Sequence, residues 1–187
     1  VQRLEEPAFL LLGRKFHIRV FALLHSCEGS MRIYMARRGP AYFSAAEYAA
    51  GARKPEAQLS GGGGTGYSRT WPLYVEQVHV FQGLSTDDVS DLLLGQLREL
   101  CRDFLVTVSK PAKLGIAAYR LIAFDVLLCA HPERLFQAKV MEVNISPSSE
   151  FHDAQLRKDL ARGMLHCLWP GHFLPDDIFE QVAVLSQ

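Results

Sequence analysis

The sequence predicts an α+β fold in which an antiparallel β-sheet is flanked by helices. Several short stretches alternate apolar and polar residues with the period of a strand, and two longer stretches repeat apolar residues at helical spacing. Short polar or glycine-containing turns join neighbouring strand patterns, which favours antiparallel pairing. The chain has 187 residues, 49% of them hydrophobic, which is enough for one sizeable core.

The first predicted strand pair lies near the start of the chain. Over residues 15–24, apolar side chains alternate with Lys15, His17 and Arg19, so these three are expected to share one face of a strand. A second apolar run over 31–35 follows a Gly-Ser break and is predicted to pair with it, ending at a charged turn over 37–40. These residues therefore form a predicted hairpin or meander.

The middle of the chain is predicted to contain a loop followed by a long helix. Residues 51–68 are rich in Gly, Ala and small polar residues, and their glycine run is not a Walker motif because no G-K-[ST] follows it. A helix is predicted from Ser85, where Ser85 and Asp88 resemble a capping box, until Pro111 ends the pattern. The loop is expected to have no core of its own.

The rest of the chain is predicted to add two strands and a second helix. Apolar runs over 119–129 and 135–145 are joined by a polar turn at 131–134, and the helix is expected from near Asp153 to about Leu168. We expect residues 1–170 to form one unit and residues 171–187 to form a tail or a terminal helix.

Composition argues against several classes of function. Basic and acidic residues both total 20, so no global field favours nucleic acid or an anionic membrane. The four cysteines lie far apart without a C-x-x-C pair, which argues against a zinc cage or a disulfide framework and favours a reducing compartment. No apolar stretch is long enough to cross a bilayer, and we expect a soluble fragment of a longer protein.

Three polar residues in the last two predicted strands form a candidate metal site. Strand alternation places Glu142 and Asn144 on one face, and Asp125 stands in an apolar strand where an unpaired carboxylate would be costly to bury. Two carboxylates and an amide suit a magnesium ion that also binds nucleotide phosphates. The alternative is structural: Asp125 caps a strand end, Glu142 pairs with an arginine and Asn144 forms a turn.

Four motifs in order resemble the tubulin tyrosine ligase-like family. K-F-H-I-R over 15–19 resembles its K-F-[DH]-I-R strand, and I-Y-M-A-R-R-G over 33–39 resembles its I-Y-x-Y-R-E-G segment. A-F-D over 123–125 is similar to its G-[FL]-D, and M-E-V-N-I-S-P-S over 141–148 to its L-E-V-N-x-S-P-S segment. The resemblance implies the C-terminal half of an ATP-grasp fold, with Gly-rich residues 51–68 as a loop.

The resemblance also implies roles for individual residues. Lys15, Arg19 and Arg37 would line the phosphate side of a cleft for ATP, with Arg19 and Arg37 acting in catalysis. Three residues would coordinate Mg²⁺: Asp125, Glu142 and Asn144. The Asn144 side chain would also contact the nucleotide.

The family ligates an amino acid, Tyr, Glu or Gly, to a tubulin carboxylate, which implies a cytoplasmic or cytoskeletal enzyme. One segment departs from this pattern, because Q-L-S-G over 58–61 replaces the family's H-L-T-N. Loss of the His and Asn side chains removes a proton-transfer group and an amide. The alternative is therefore an inactive module within a larger protein or ribonucleoprotein assembly that is cytoskeletal, axonemal or organellar, including mitochondrial.

Overall fold

The computed structural model describes residues 8–27, 29–49, 57, 68–71, 83–108, 118–148, 153–173 and 177–186. These residues form one seven-stranded sheet and two long helices, which confirms the predicted α+β class with an antiparallel sheet and is compatible with an ATP-grasp-like fold. The strands are β1 (Phe16–Cys27), β2 (Ser30–Ala36), β3 (Gly39–Phe43), β4 (Ser68–Trp71), β5 (Ala118–Ala130), β6 (Phe136–Asn144) and β7 (Phe179–Ser186). The helices are α1 (Thr86–Val108) and α2 (Ala154–Leu168).

Strand β1 is the centre of the sheet. It pairs antiparallel with β5 along one edge, while along the other edge its first residues pair with β3 and its later residues with β2. Strand β4 extends the sheet beyond β3, β7 extends it beyond β2, and β6 extends it beyond β5. The β1–β2 and β5–β6 pairings confirm the two predicted antiparallel pairs.

The prediction of a tail or terminal helix at the C-terminal end is wrong for the last described residues. Residues 179–186 form β7, which pairs with β2 from Ala36–Phe179 to Ser30–Ser186. The segment gains a ladder of backbone hydrogen bonds along β2, interrupted by a register shift between Ile33 and Tyr34. Such tertiary pairing overrides weak local preference. The C-terminal segment therefore completes the same sheet as the N-terminal strands.

The predicted charged turn at 37–40 is also shorter than expected. Gly39 and Pro40 already belong to β3, where they pair with Trp71 and Thr70 of β4. A Cβ on Gly39 would lie 2.2 Å from the Arg19 carbonyl oxygen, so this strand can approach β1 only with glycine at that position. Most of the predicted glycine-rich loop lies outside the described residues.

The two faces of the sheet are covered unequally. Helix α1 packs Val89, Leu93, Leu97, Cys101 and Leu105 against one face, where they form the main core with inward residues of β1, β2 and β5. On the opposite face, α2 contributes Leu156 and Leu160 to a smaller cluster. That smaller cluster also contains Phe21, Ala36, Ala123 and Ile178. Arg19 and Asp125 lie on the same face, because they alternate with the buried residues of the main core.

The two predicted helices are confirmed. Asp153 caps α2 by accepting a hydrogen bond from the Leu156 backbone N–H at 2.9 Å, as the sequence predicted for its start. In α1, the Ser85 hydroxyl accepts from the Asp88 N–H at 3.1 Å, which is half of the predicted capping box. Neither helix, nor any other in the described part of the chain, is long and apolar enough to span a membrane.

Candidate functional site

A row of ionisable side chains crosses three strands on the face of the sheet opposite α1. In the strand register Arg19 of β1 stands opposite Asp125 of β5, and Asp125 stands opposite Glu142 of β6. The flanking β1 residues Ile18 and Val20 point into the core under α1, so alternation turns Arg19 to the other face. Three strands thus bring a cation and two carboxylates into line.

Arg19 and Asp125 form a two-pronged ion pair at the centre of this row. The Arg19 Nε donates to Asp125 Oδ1 and its Nη2 donates to Asp125 Oδ2, each at 2.7 Å. The side chains of Arg19 and Asp125 are only 18% and 6% exposed. Charge-assisted, bidentate pairs of this kind are the stronger ones in proteins. The partner that the buried carboxylate requires is therefore an arginine on the neighbouring strand.

Asn144 joins the two carboxylates of the row. Its Nδ2 donates to Asp125 Oδ2 at 3.2 Å and to Glu142 Oε1 at 3.0 Å. The predicted grouping of Asp125, Glu142 and Asn144 on one face is therefore what the structure has. Asp125 accepts from three N–H donors, whereas Glu142 lies in an exposed part of β6.

An irregularity in β6 turns Glu142 towards Asp125. The register shifts between Asp125, paired with Glu142, and Val126, paired with Val140, so Met141 has no opposite residue. In a regular strand, residues 140 and 142 would share one face. The extra residue leaves Val140 opposite a core residue and Glu142 opposite the buried carboxylate, which is how a β-bulge redirects side chains.

The electrostatics favour the ionised forms of Asp125 and Arg19. Burial alone would raise the pKa of Asp125, but the hydrogen bonds and positive charge of Arg19 outweigh it and hold that pKa below its usual value. The pKa of Arg19 is raised, chiefly by the hydrogen bond to Asp125. Asp125 and Arg19 therefore both carry charge at neutral pH.

Aromatic rings line the β3 side of the row, a feature that the sequence motifs did not reveal. His17 stacks on Tyr42 with ring centroids 5.1 Å apart, and the Arg19 guanidinium lies 5.5 Å from the centroid of the same ring. Burial lowers the pKa of His17 and raises that of Tyr42. In β3, Tyr42 lies between buried residues, and this alternation is the signal that could have predicted that its ring lies beside the row.

The other two basic candidates lie outside the hydrogen-bonded cluster. The Lys15 ammonium is 4.2 Å from the ring centroid of Tyr48, and Lys15 is only 6% exposed, so it is not simply a solvated residue. The Arg37 backbone N–H donates to the Ile178 carbonyl at 2.6 Å, while its buried Nε has no hydrogen-bond partner among the described residues. Arg37 thus has a polar group that a ligand could satisfy.

The donor set of the cluster fits a magnesium ion in chemical kind. Two carboxylates and an amide are hard oxygen ligands of the type that Mg²⁺ binds beside phosphates and water. Within the described ranges, no group of three or more His, Cys, Asp or Glu side chains is placed to bind a metal, so the amide would be needed. The segment 58–61, which departs from the family's H-L-T-N, lies outside the described residues.

Comparison with protein families identifies a relationship at the start of the chain. Residues 2–59 match the tubulin-tyrosine ligase family. This match confirms the predicted resemblance for less than one third of the 187 residues. This match includes Lys15, Arg19 and Arg37 and supports a ligase of the ATP-grasp type. No curated protein matches the chain. The residues of β5 and β6 that complete the cluster lie beyond the matched segment.

Proposed function

We propose that the chain is the phosphate- and magnesium-binding part of an ATP-dependent carboxylate–amine ligase that adds Tyr, Glu or Gly to a protein carboxylate, tubulin by resemblance. The observation that carries this proposal is the row of Arg19, Asp125 and Glu142 across three strands, bridged by Asn144. The family match over residues 2–59, which includes Arg19, supports the same type of enzyme.

The side chains of the row have the chemistry that this reaction needs. In such ligases Mg²⁺-bound ATP activates a carboxylate as an acyl phosphate, which an amine then attacks. In this proposal Arg19 would offer its guanidinium to a phosphoryl group, although in the structure its Nε and Nη2 donate to Asp125. The buried Arg37 Nε, which has no hydrogen-bond partner among the described residues, supports the same use of Arg37. Negative charge develops on the transferring phosphoryl group in the transition state. Cations held beside that group therefore stabilise the transition state more than the ground state.

The metal ligands in this proposal are Asp125, Glu142 and Asn144. Glu142 is the most accessible of the three, because β6 lies at the outer side of β5 in the described sheet and Glu142 is exposed there. Lys15 and Asn144 would contact the nucleotide. The host would be cytoplasmic or cytoskeletal, and tubulin would be the acceptor.

Binding of nucleotide tests this proposal directly. A ligand that binds only the native state raises the midpoint of thermal unfolding, so ATP with MgCl₂ should stabilise the chain. Asp125→Ala and Glu142→Ala should abolish that shift. Asp177→Ala is the matched control, because Asp177 is a carboxylate in an exposed ion pair with Arg38, 3.0 Å away. Equal shifts in all four proteins would contradict the proposal.

A second candidate function is a non-catalytic module within a larger assembly. The replacement of H-L-T-N by Q-L-S-G at 58–61 favours it, because the lost His and Asn are groups that proton transfer and substrate contact would use. Transfer of a labelled amino acid to tubulin by the unaltered protein would exclude this candidate. Activity that appears only in the double variant Gln58→His with Gly61→Asn would support it.

A further inference from the structure

The buried carboxylate proposed to bind magnesium already has three hydrogen-bond donors and a cationic partner. Asp125 accepts from Arg19 Nε and Nη2 at 2.7 Å each and from Asn144 Nδ2 at 3.2 Å. A divalent cation needs oxygen atoms with lone pairs directed at it, not oxygens engaged by N–H groups. Oδ1 keeps one lone pair, but a metal bound there would lie beside the Arg19 guanidinium, and the two cations would repel each other. Tight metal binding therefore requires Arg19 to move away from Asp125.

The backbone of Arg19 is fixed, so its side chain is the element that can move. The Arg19 carbonyl accepts a hydrogen bond from Trp71 Nε1 at 2.9 Å, and Trp71 is fully buried. The Arg19 side chain, by contrast, is 18% exposed and extends past the ring of Tyr42. A guanidinium on a flexible stem next to an aromatic face can change partners without moving the strand.

We propose that Arg19 is the internal counter-ion of Asp125 and that a nucleotide phosphate draws it away, so that magnesium and nucleotide bind cooperatively. This inference rests on the proposed function and assigns an order to its ligands. Without phosphate, the metal must break a buried ion pair and leave Arg19 unpaired, which is costly. With phosphate, the guanidinium gains a bidentate acceptor as good as the one it loses.

Asn144 changes its role in the same exchange. Its amide nitrogen donates to both carboxylates, so one NH₂ group contacts two anions. A metal in that position requires the amide oxygen instead, so the amide must turn.

Titration of the chain with MgCl₂ alone tests the exchange. Calorimetry should give weak binding to the unaltered protein and about tenfold tighter binding to Arg19→Met, which keeps the side-chain length and frees Asp125. ATP should increase the Mg²⁺ affinity of Arg19→Met by a smaller factor than that of the unaltered protein, because only direct coordination by the phosphates remains. The matched control is Arg38→Met, which removes an arginine from an exposed ion pair and should leave both constants unchanged.

Further variants decide the outcome if Arg19→Met does not fold. Arg19→Lys keeps the charge but loses the fork that engages both oxygens, so it should bind MgCl₂ more tightly than the unaltered protein. Adding Asp125→Asn to either variant should remove the gain. If Mg²⁺ with ATP binds the unaltered protein but neither Arg19 variant binds Mg²⁺ more tightly, the exchange is refuted and the proposed function stands. If no protein binds Mg²⁺ with or without ATP, both are refuted.

Discussion

Gly39 lies so close to Arg19 that a Cβ on the glycine would be 2.2 Å from the Arg19 carbonyl oxygen and 2.7 Å from Trp71 Nε1. The same carbonyl accepts the Trp71 indole hydrogen bond at 2.9 Å. The contact brings β3 and β4 against β1 beside the polar row. The position of the Arg19 backbone therefore depends on the absence of a side chain at residue 39.

Gly39→Ala should destabilise the protein by about 2–3 kcal/mol, because the backbone oxygen that it meets cannot move aside as a flexible side chain could. Urea denaturation of the variant and the unaltered chain measures the difference. The displacement of β3 should also disturb the hydrogen bond from Trp71 Nε1 to the Arg19 carbonyl. A midpoint within error of the unaltered protein would show that β3 can shift away from β1 at little cost.

Alanine substitutions at two helical glycines should change the stability of the protein in opposite directions. Gly95 in α1 has open space around an added Cβ, so Gly95→Ala should stabilise the protein by about 0.5–1 kcal/mol through helix propensity. In α2, a Cβ on Gly163 would lie 2.8 Å from the Phe179 ring and 3.1 Å from Ile178 Cβ. Overpacking there should exceed the propensity gain and leave Gly163→Ala about 1 kcal/mol less stable.

Urea midpoints of the two glycine variants, measured under one set of conditions, check this prediction. Stabilisation by both substitutions would mean that α2 is not packed tightly against the segment leading into β7. Because β7 is one of the strands that the sequence patterns did not predict, the comparison also tests its placement beside α2.

The Asp153 carboxylate should make stability pH-dependent at the start of α2. The Leu156 backbone N–H and the Thr70 hydroxyl, the latter at 2.6 Å, both donate to it and hold its pKa below the usual value. A lowered pKa means that the stabilisation is complete above the ordinary Asp pKa and is lost as pH falls through the folded-state value. Asp153→Ala should cost about 1 kcal/mol at neutral pH.

Thermal unfolding at neutral pH and in steps down through the acid range measures this loss. The difference between the unaltered chain and Asp153→Ala should shrink as the pH drops. Asp153→Asn is the control, because its amide oxygen still caps the helix but does not titrate in this range. A difference that stays constant down to strongly acid pH would show that the ionised carboxylate contributes nothing.

Local patterns predicted most of the fold because the elements concerned are long and regular. The alternation in β1 and the helical spacing in α1 depend on side chains within a few positions of each other. Strand β7 could not be predicted in the same way, because its residues adopt extended structure by pairing with β2, almost the whole chain away. A pairing between residues so distant in sequence produces no periodic pattern in the local sequence.

In the candidate site, too, one grouping of residues could be predicted from local sequence and another could not. The grouping of Glu142 with Asn144 follows from alternation within one strand, whereas the Arg19–Asp125 pair joins residues 106 positions apart. The structural alternative expected Glu142 to pair with an arginine, yet the described ion pair engages Asp125 instead. Which carboxylate an arginine engages depends on strand order and on the bulge at Met141, and neither can be read from a motif.

Thiol labelling should distinguish an accessible cysteine from a fully buried one. Cys101 is inaccessible in the core under α1, and burial raises the pKa of its thiol to about 12, so almost no thiolate forms at neutral pH. Cys27 at the end of β1 is partly exposed. A thiol reagent should therefore modify Cys27 first in the native protein, and Cys27→Ser should remove that fast phase. Peptide mass spectrometry identifies the labelled residue.

Labelling of Cys101 then reports the opening of the core to solvent. Since reaction requires unfolding around α1, its rate should increase steeply with urea and should decrease when a ligand stabilises the native state. ATP with MgCl₂ should slow Cys101 labelling in the unaltered protein, and Asp125→Ala should abolish that protection while leaving Cys27 labelling unchanged. Rapid modification of Cys101 without denaturant would mean that α1 separates from the sheet in the native state, and the polar row would then lack the rigid strand support on which the proposed site depends.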